Sequence, residues 1–233
     1  MRIPALPVAA ALVVSVAAAT AQHYDPYYVL PAETGHLGAD VGLVGPDARH
    51  LDATSLVPLV AKYAVTDRLE LGARADLGVL DDAADDLSAV TLGAKLGLGG
   101  FTVLTGAVLL PVADAEDPGL SLGLMHTLTF EGLQVNSWAQ VGMLDGYTGG
   151  RGANLQLLVE PLKAFGEHTV VYLDLLARST SDDLGGDLAV DLGPNLDYML
   201  SQHLVVNAGV TLGVAGDRKQ DDLGLTVMVL TNF

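Results

Sequence analysis

The chain has 233 residues, half of them apolar and 17% charged, with no cysteine and a formal charge of −17 from 28 acidic and 11 basic residues. So acidic a balance excludes nucleic acid as a partner, which needs clustered Lys and Arg to displace counterions, and electrostatic docking on anionic lipid. The apolar half excludes intrinsic disorder, and the missing cysteine excludes disulfides, thiolate chemistry and cysteine-ligated metal.

In chain order, Arg2 precedes an apolar stretch over 8–19 that ends in Ala19-Thr20-Ala21. A basic start, a short apolar core and an A-x-A end predict a secretory signal peptide over 1–21, cleaved after Ala21. Residues 22–32, with Tyr24, Tyr27 and Tyr28, form an N-terminal periplasmic segment ahead of the first patterned run. No later stretch offers 18 uninterrupted apolar residues, so helical membrane spans are excluded.

From residue 33 onward the chain alternates with a period of two, which means extended strands with one apolar and one polar face. Leu37, Ala39, Val41 and Leu43 alternate with His36, Gly38, Asp40 and Gly42. Leu69, Leu71, Ala73, Ala75 and Leu77 alternate with Glu70, Gly72, Arg74, Asp76 and Gly78. The same holds for Leu92, Ala94 and Leu96 against Gly93 and Lys95, and for Leu133, Val135 and Ala139 against Gln134, Asn136 and Gln140. The last runs place Leu204, Val206 and Ala208 against Asn207 and Gly209, and Leu223, Leu225 and Val227 against Gly224 and Thr226. Twelve strands are predicted, beginning near residues 35, 55, 68, 88, 101, 119, 133, 153, 169, 188, 204 and 223.

The connections alternate in length. Short turns at Thr66-Asp67, Gly99-Gly100, Glu131-Gly132, 164–168 and Ser201-Gln202 interleave with long connections at 45–54, 80–87, 111–118, 144–152, 179–187 and 214–222. A soluble sandwich has no reason to sort its connections, whereas an outer-membrane barrel has short periplasmic turns and longer extracellular loops. Tyr63, Phe101, Phe130, Phe165, Tyr198 and Phe233 gather near the short turns, as an interfacial aromatic girdle requires. More than half of the acidic residues fall in the long loops, Asp81, Asp82, Asp85 and Asp86 among them. The predicted fold is therefore all-β: a closed antiparallel transmembrane β-barrel over 33–233, with acidic extracellular loops, in the outer membrane of a Gram-negative-type bacterium.

The terminal Phe233, after alternating residues 223–229, resembles the signal that outer-membrane barrels present to their assembly machinery. The stretch Lys62-Tyr-Ala-Val-Thr-Asp-Arg-Leu-Glu-Leu-Gly72 is similar to the strand–turn–strand motif of the "meta-pathway of phenol degradation" or transporter-like barrels, and Tyr198-Met-Leu-Ser-Gln-His-Leu204 echoes it. The resemblance implies an outer-membrane barrel that takes up small, aromatic compounds. It supplies no site residues.

Strand parity assigns candidate lumen-facing side chains: Asp40, Glu70, Arg74, Asp76, Lys95, Gln134, Asn136, Gln140, Asn154, Gln156, Glu160, Asp174, Arg178, Asp191, Asn195 and Asp197. Acids outnumber bases among them, which predicts a mildly cation-favouring passage. The other reading is that they pair across the barrel and plug it, since eight strands are filled by side chains while 16–18 leave an aqueous channel. A two-residue Gly99-Gly100 turn would place Phe101, Val103, Thr105, Ala107 and Leu109 on the lipid side. Leu104, Val108 and Leu110 would then join Leu56, Val60 and Leu176 in the lumen, an amphipathic interior suited to an aromatic or amphipathic solute.

If Glu131-Gly132 is a two-residue hairpin turn, Phe130 faces Leu133 and His126 faces Ser137, both on the lipid side. A cross-strand Ser–His pair can serve as the nucleophile and base of a lipid hydrolase. The His-x-Ser spacing of the outer-membrane phospholipase is absent, however, because His126 is followed by Leu128. The acidic loops offer carboxylate oxygens to divalent cations but lack the spaced Asp and Gly of a dedicated site. The expected function is thus a cofactor-free, non-enzymatic barrel that passes a small solute passively. The alternatives are a structural or surface-interaction barrel with a filled lumen, then the lipid hydrolase. The expected surroundings are outer-membrane lipid.

Overall fold

The computed structural model describes residues 29–45, 52–53, 56–78, 87–111, 118–143, 153–180, 188–216 and 223–233. The expected signal peptide, residues 22–28, most of the long connections with their acidic clusters, and the side chains of Asp40, Leu56 and Asp76 lie outside the described residues.

Twelve strands of 10–13 residues follow one another: β1 Gly35–Gly45, β2 Leu56–Thr66, β3 Leu69–Gly78, β4 Leu87–Gly99, β5 Thr102–Pro111, β6 Gly119–Phe130, β7 Leu133–Met143, β8 Asn154–Phe165, β9 Thr169–Thr180, β10 Ala189–Met199, β11 Leu204–Gly216 and β12 Leu223–Asn232. A two-residue piece, Asp52–Ala53, adds a short pairing to β1 at Leu43 and Val44. Each strand pairs antiparallel with its chain neighbours, and β12 returns to β1 from His36↔Asn232 to Gly45↔Leu223. The ring is closed and no sheet edge is left exposed. At the seam, Gly35 N–H donates to Phe233 O at 2.9 Å and Phe233 N–H donates back to Gly35 O at 3.0 Å.

Alternation dictates the two faces. Leu37, Leu59, Leu71, Leu92, Leu122, Leu157 and Val227 stand exposed on the outside, and the buried side chains point into the barrel. The core is therefore the lumen itself. Tyr63, Phe101, Phe130, Phe165, Tyr198 and Phe233 are all exposed around the short-turn end.

The short turns fix the registers. Glu131 and Gly132 both take positive φ, 43° and 86°, as a type I′ hairpin demands, so Phe130 faces Leu133 and His126 faces Ser137. Thr66 Oγ1 accepts from the N–H groups of Arg68 and Leu69, which turns the chain at Asp67 and Arg68, one residue later than the sequence implied.

One strand overturns its expected face. Gly97 pairs Val103 but Gly99 pairs Thr102, so a bulge at Leu98 inserts an extra residue, and the turn falls at Gly100 and Phe101. Gly99 at φ 113° and Gly100 at 57° supply conformations that side chains resist. A one-residue slip exchanges the two faces of a strand. Val103 and Leu109 are accordingly buried in the lumen, at 3% and 4% exposure, while Leu104, Val108 and Leu110 are each more than 40% exposed outside. Leu176 keeps its expected inward side, paired to Asp191, and Val60 does so opposite Arg74.

Candidate functional site

The lumen is packed at the short-turn end. Leu30, 2% exposed, enters there, and its backbone N–H donates to Glu70 Oε2 at 3.1 Å. Glu33 N–H reaches Ala64 O, and Ala32 N–H reaches the Asp67 carboxylate, so residues 32 and 33 are tied to β2 and the following turn. The other carboxylate oxygen of Glu70 lies 3.3 Å from Lys95 Nζ across β3 and β4, both side chains being buried. On the opposite wall Leu162, Val170 and Tyr172 form an apolar cluster with Ala164 and Met199.

Two polar networks complete that layer. Asn136, fully buried, accepts from Thr127 Oγ1 and Gln134 Nε2 and donates to Glu160 Oε1 at 2.7 Å. Asn207 donates to Tyr172 OH and to Asp197 Oδ1, both at 2.7 Å. Each network spans adjacent strands (Asn136↔Glu160, Asp197↔Asn207), so the pleat aims the groups at one another.

Above this layer the lumen opens. A cavity of about 180 Å³ is lined by Lys62, Glu70, Lys95, Thr105, Met125 and Trp138, among others. A second, of about 290 Å³, lies nearer the long-loop end against Arg74, Thr91, Leu109, Gln140, Asn154 and Gln156. The two share Ala107, Ser121, Trp138 and Gln140. Beside them, on β9 and β10, Arg178 pairs with Asp191, and Asn195 Nδ2 donates to Asp174 Oδ2 at 2.8 Å. Asn195 rests where a Cβ on Gly209 would sit, so only glycine leaves it room.

The sequence-derived candidates thus divide. Arg74, Gln140, Asn154 and Gln156 line the outer cavity; Glu70 and Lys95 sit at the floor of the inner one; Gln134, Asn136, Glu160 and Asp197 belong to the packed layer; Asp174, Arg178, Asp191 and Asn195 form the side cluster. Asp40 and Asp76 keep their places in β1 and β3, with side chains outside the described residues. Glu70, Glu160, Asp191 and Asp197 are buried and engaged with neighbouring side chains. Sequence reading passed over Leu30, Tyr172 and Trp138. Parity with Gln134 and Gln140 does put Trp138 inside, but an apolar residue among polar neighbours carries no signal of its own.

On the lipid side, His126 Nδ1 lies 2.9 Å from Thr102 Oγ1, and the Ser137 hydroxyl donates to the His126 backbone carbonyl at 3.1 Å. The hydroxyl is directed at the backbone and not at the imidazole, so the pair is not arranged as nucleophile and base. Among the described residues no three His, Asp or Glu side chains group as metal ligands.

The chain is similar in fold to the COG4313 outer membrane channel from Pseudomonas putida F1, with a TM-score of 0.60 at 12% identity over 91% of this chain and 100% of that one. The KdgM porin superposes at a TM-score of 0.59 and 10% identity, over 85% of this chain and 99% of its own. The fold is that of an outer-membrane channel barrel. A monoaromatic hydrocarbon channel, CymD, aligns at a TM-score of 0.51 and 10% identity over 86% and 87% of the two chains. No protein-family model matches the sequence, and no curated protein matches it.

Proposed function

We propose that the protein is an outer-membrane channel through which a small aromatic or amphipathic solute passes passively, without cofactor or catalytic step. The carrying observation is the pair of luminal cavities stacked through shared walls, in which charged and amide groups alternate with Met125, Trp138 and Leu109. Twelve strands lie between the filled eight-stranded barrel and the wide porin, a size that suits one small solute at a time. The monoaromatic hydrocarbon for which the similar barrel CymD is named is a solute of this kind. On this reading the chain is exported by residues 1–21 and offers Phe233 to the assembly machinery, and its short turns face the periplasm. Proteoliposomes loaded with solutes of graded size test it: small aromatic and amphipathic solutes equilibrate faster than in protein-free vesicles, and larger sugars do not.

The packed layer around Leu30, Tyr172 and Asn136 favours a second reading, a barrel with a filled lumen whose working part is its surface. Equal leakage with and without protein for every solute would establish that reading in place of the first.

A further inference from the structure

Trp138 is the only tryptophan in the chain, and it stands in the wall shared by both luminal cavities. It is paired to Met125 on β6 and Leu158 on β8. Its Nε1 is buried and has no hydrogen-bond partner among the described residues. Nε1 lies 2.7 Å from the point where a Cβ on Gly123 would be, and Thr105 Oγ1 lies 2.7 Å from the same point. Gly123 thus provides a slot on the barrel wall into which the N–H edge of the indole is turned, while the ring lines the passage. An unpaired buried N–H is costly and rare, and each instance calls for an explanation. A flat aromatic face at mid-barrel offers stacking area to a flat partner, and to a puckered one only edge contact.

We propose that Trp138, seated against Gly123, is the specificity-determining residue of the passage and that its indole holds planar-ring solutes in preference to saturated rings of the same size. The proposal rests on the channel reading for its consequence, transport, but the binding step is independent of it.

Because the chain has a single tryptophan, its emission reports this site alone. The purified full barrel in detergent is titrated with benzamide and, separately, with cyclohexanecarboxamide, with excitation at the red edge of the indole band. Benzamide is expected to change Trp138 emission saturably, at a concentration at least tenfold below any response to the saturated amide. Equal responses, or none to either, would overturn the proposal whether or not the barrel conducts. A saturable benzamide response in a barrel that passes nothing would sustain the site and refute the channel reading. Transport variants add a second readout. Trp138→Leu is expected to lose the preference for benzamide flux, and Trp138→Phe to keep it. Gly123→Ala, which fills the slot, is expected to displace the indole into the passage and lower flux of both amides. Unchanged selectivity in folded Trp138→Leu would also overturn the proposal.

Discussion

Glu70 and Lys95 meet at 3.3 Å with both side chains buried, and they close the floor of the inner cavity. At an effective dielectric near 20 their attraction is about 5 kcal/mol, most of which offsets the desolvation of the two charges. Removing one partner therefore costs more than the pair is worth. Lys95→Met leaves a buried carboxylate without that cation and should cost about 3–5 kcal/mol. Glu70→Gln keeps an oxygen for the Leu30 N–H but removes the charge facing Lys95, and should cost about 2–4 kcal/mol. The double variant leaves neither charge stranded and should lose only about 1–2 kcal/mol, far below the sum of the two singles. Urea unfolding of the reconstituted barrel, followed by Trp138 emission, measures all four proteins. Losses that simply add would refute the claim that the two groups stabilise each other in the lumen.

Because the chain has no cysteine, single cysteines report the face of β5 directly. Leu104→Cys carrying a thiol-linked fluorophore should be quenched by lipid-phase probes, while Thr105→Cys should react with a small hydrophilic thiol reagent from the lumen; the opposite pattern would restore the parity without a bulge. Gly35→Ala should loosen the seam, since a Cβ there falls 2.5 Å from the Phe233 ring and 2.7 Å from Lys62 O, costing about 1–3 kcal/mol. Its gel-shift transition between folded and heat-unfolded forms should come at lower temperature than that of the parent. Excising residues 22–32 behind the export signal withdraws Leu30 from the lumen and should raise single-channel conductance; an unchanged value would show that this segment does not narrow the passage.

The strands were legible because alternation is a local property. The starts read at 35, 119, 133, 169, 204 and 223 coincide with the observed ones, and the others fall within a residue or so. The β6–β7 register was legible too, because Glu131-Gly132 admits essentially one hairpin geometry. The faces of β5 were not: Gly97, Gly99 and Gly100 allow both a tight turn and a bulge, and a glycine's φ is set by tertiary pairing. Nor could sequence reveal that Asn136 would hold Thr127, Gln134 and Glu160 together, or that Asn207 would bridge Tyr172 and Asp197. Those contacts depend on the stagger between neighbouring strands and on side-chain rotamers, neither of which a period of two encodes.

The central claim is that the lumen conducts. Purified protein comprising residues 22–233, inserted in a planar bilayer, should show steady single-channel steps, small beside those of a wide porin and partly blocked by a planar aromatic solute. A silent bilayer at every voltage, with protein shown to be folded and inserted, would contradict it.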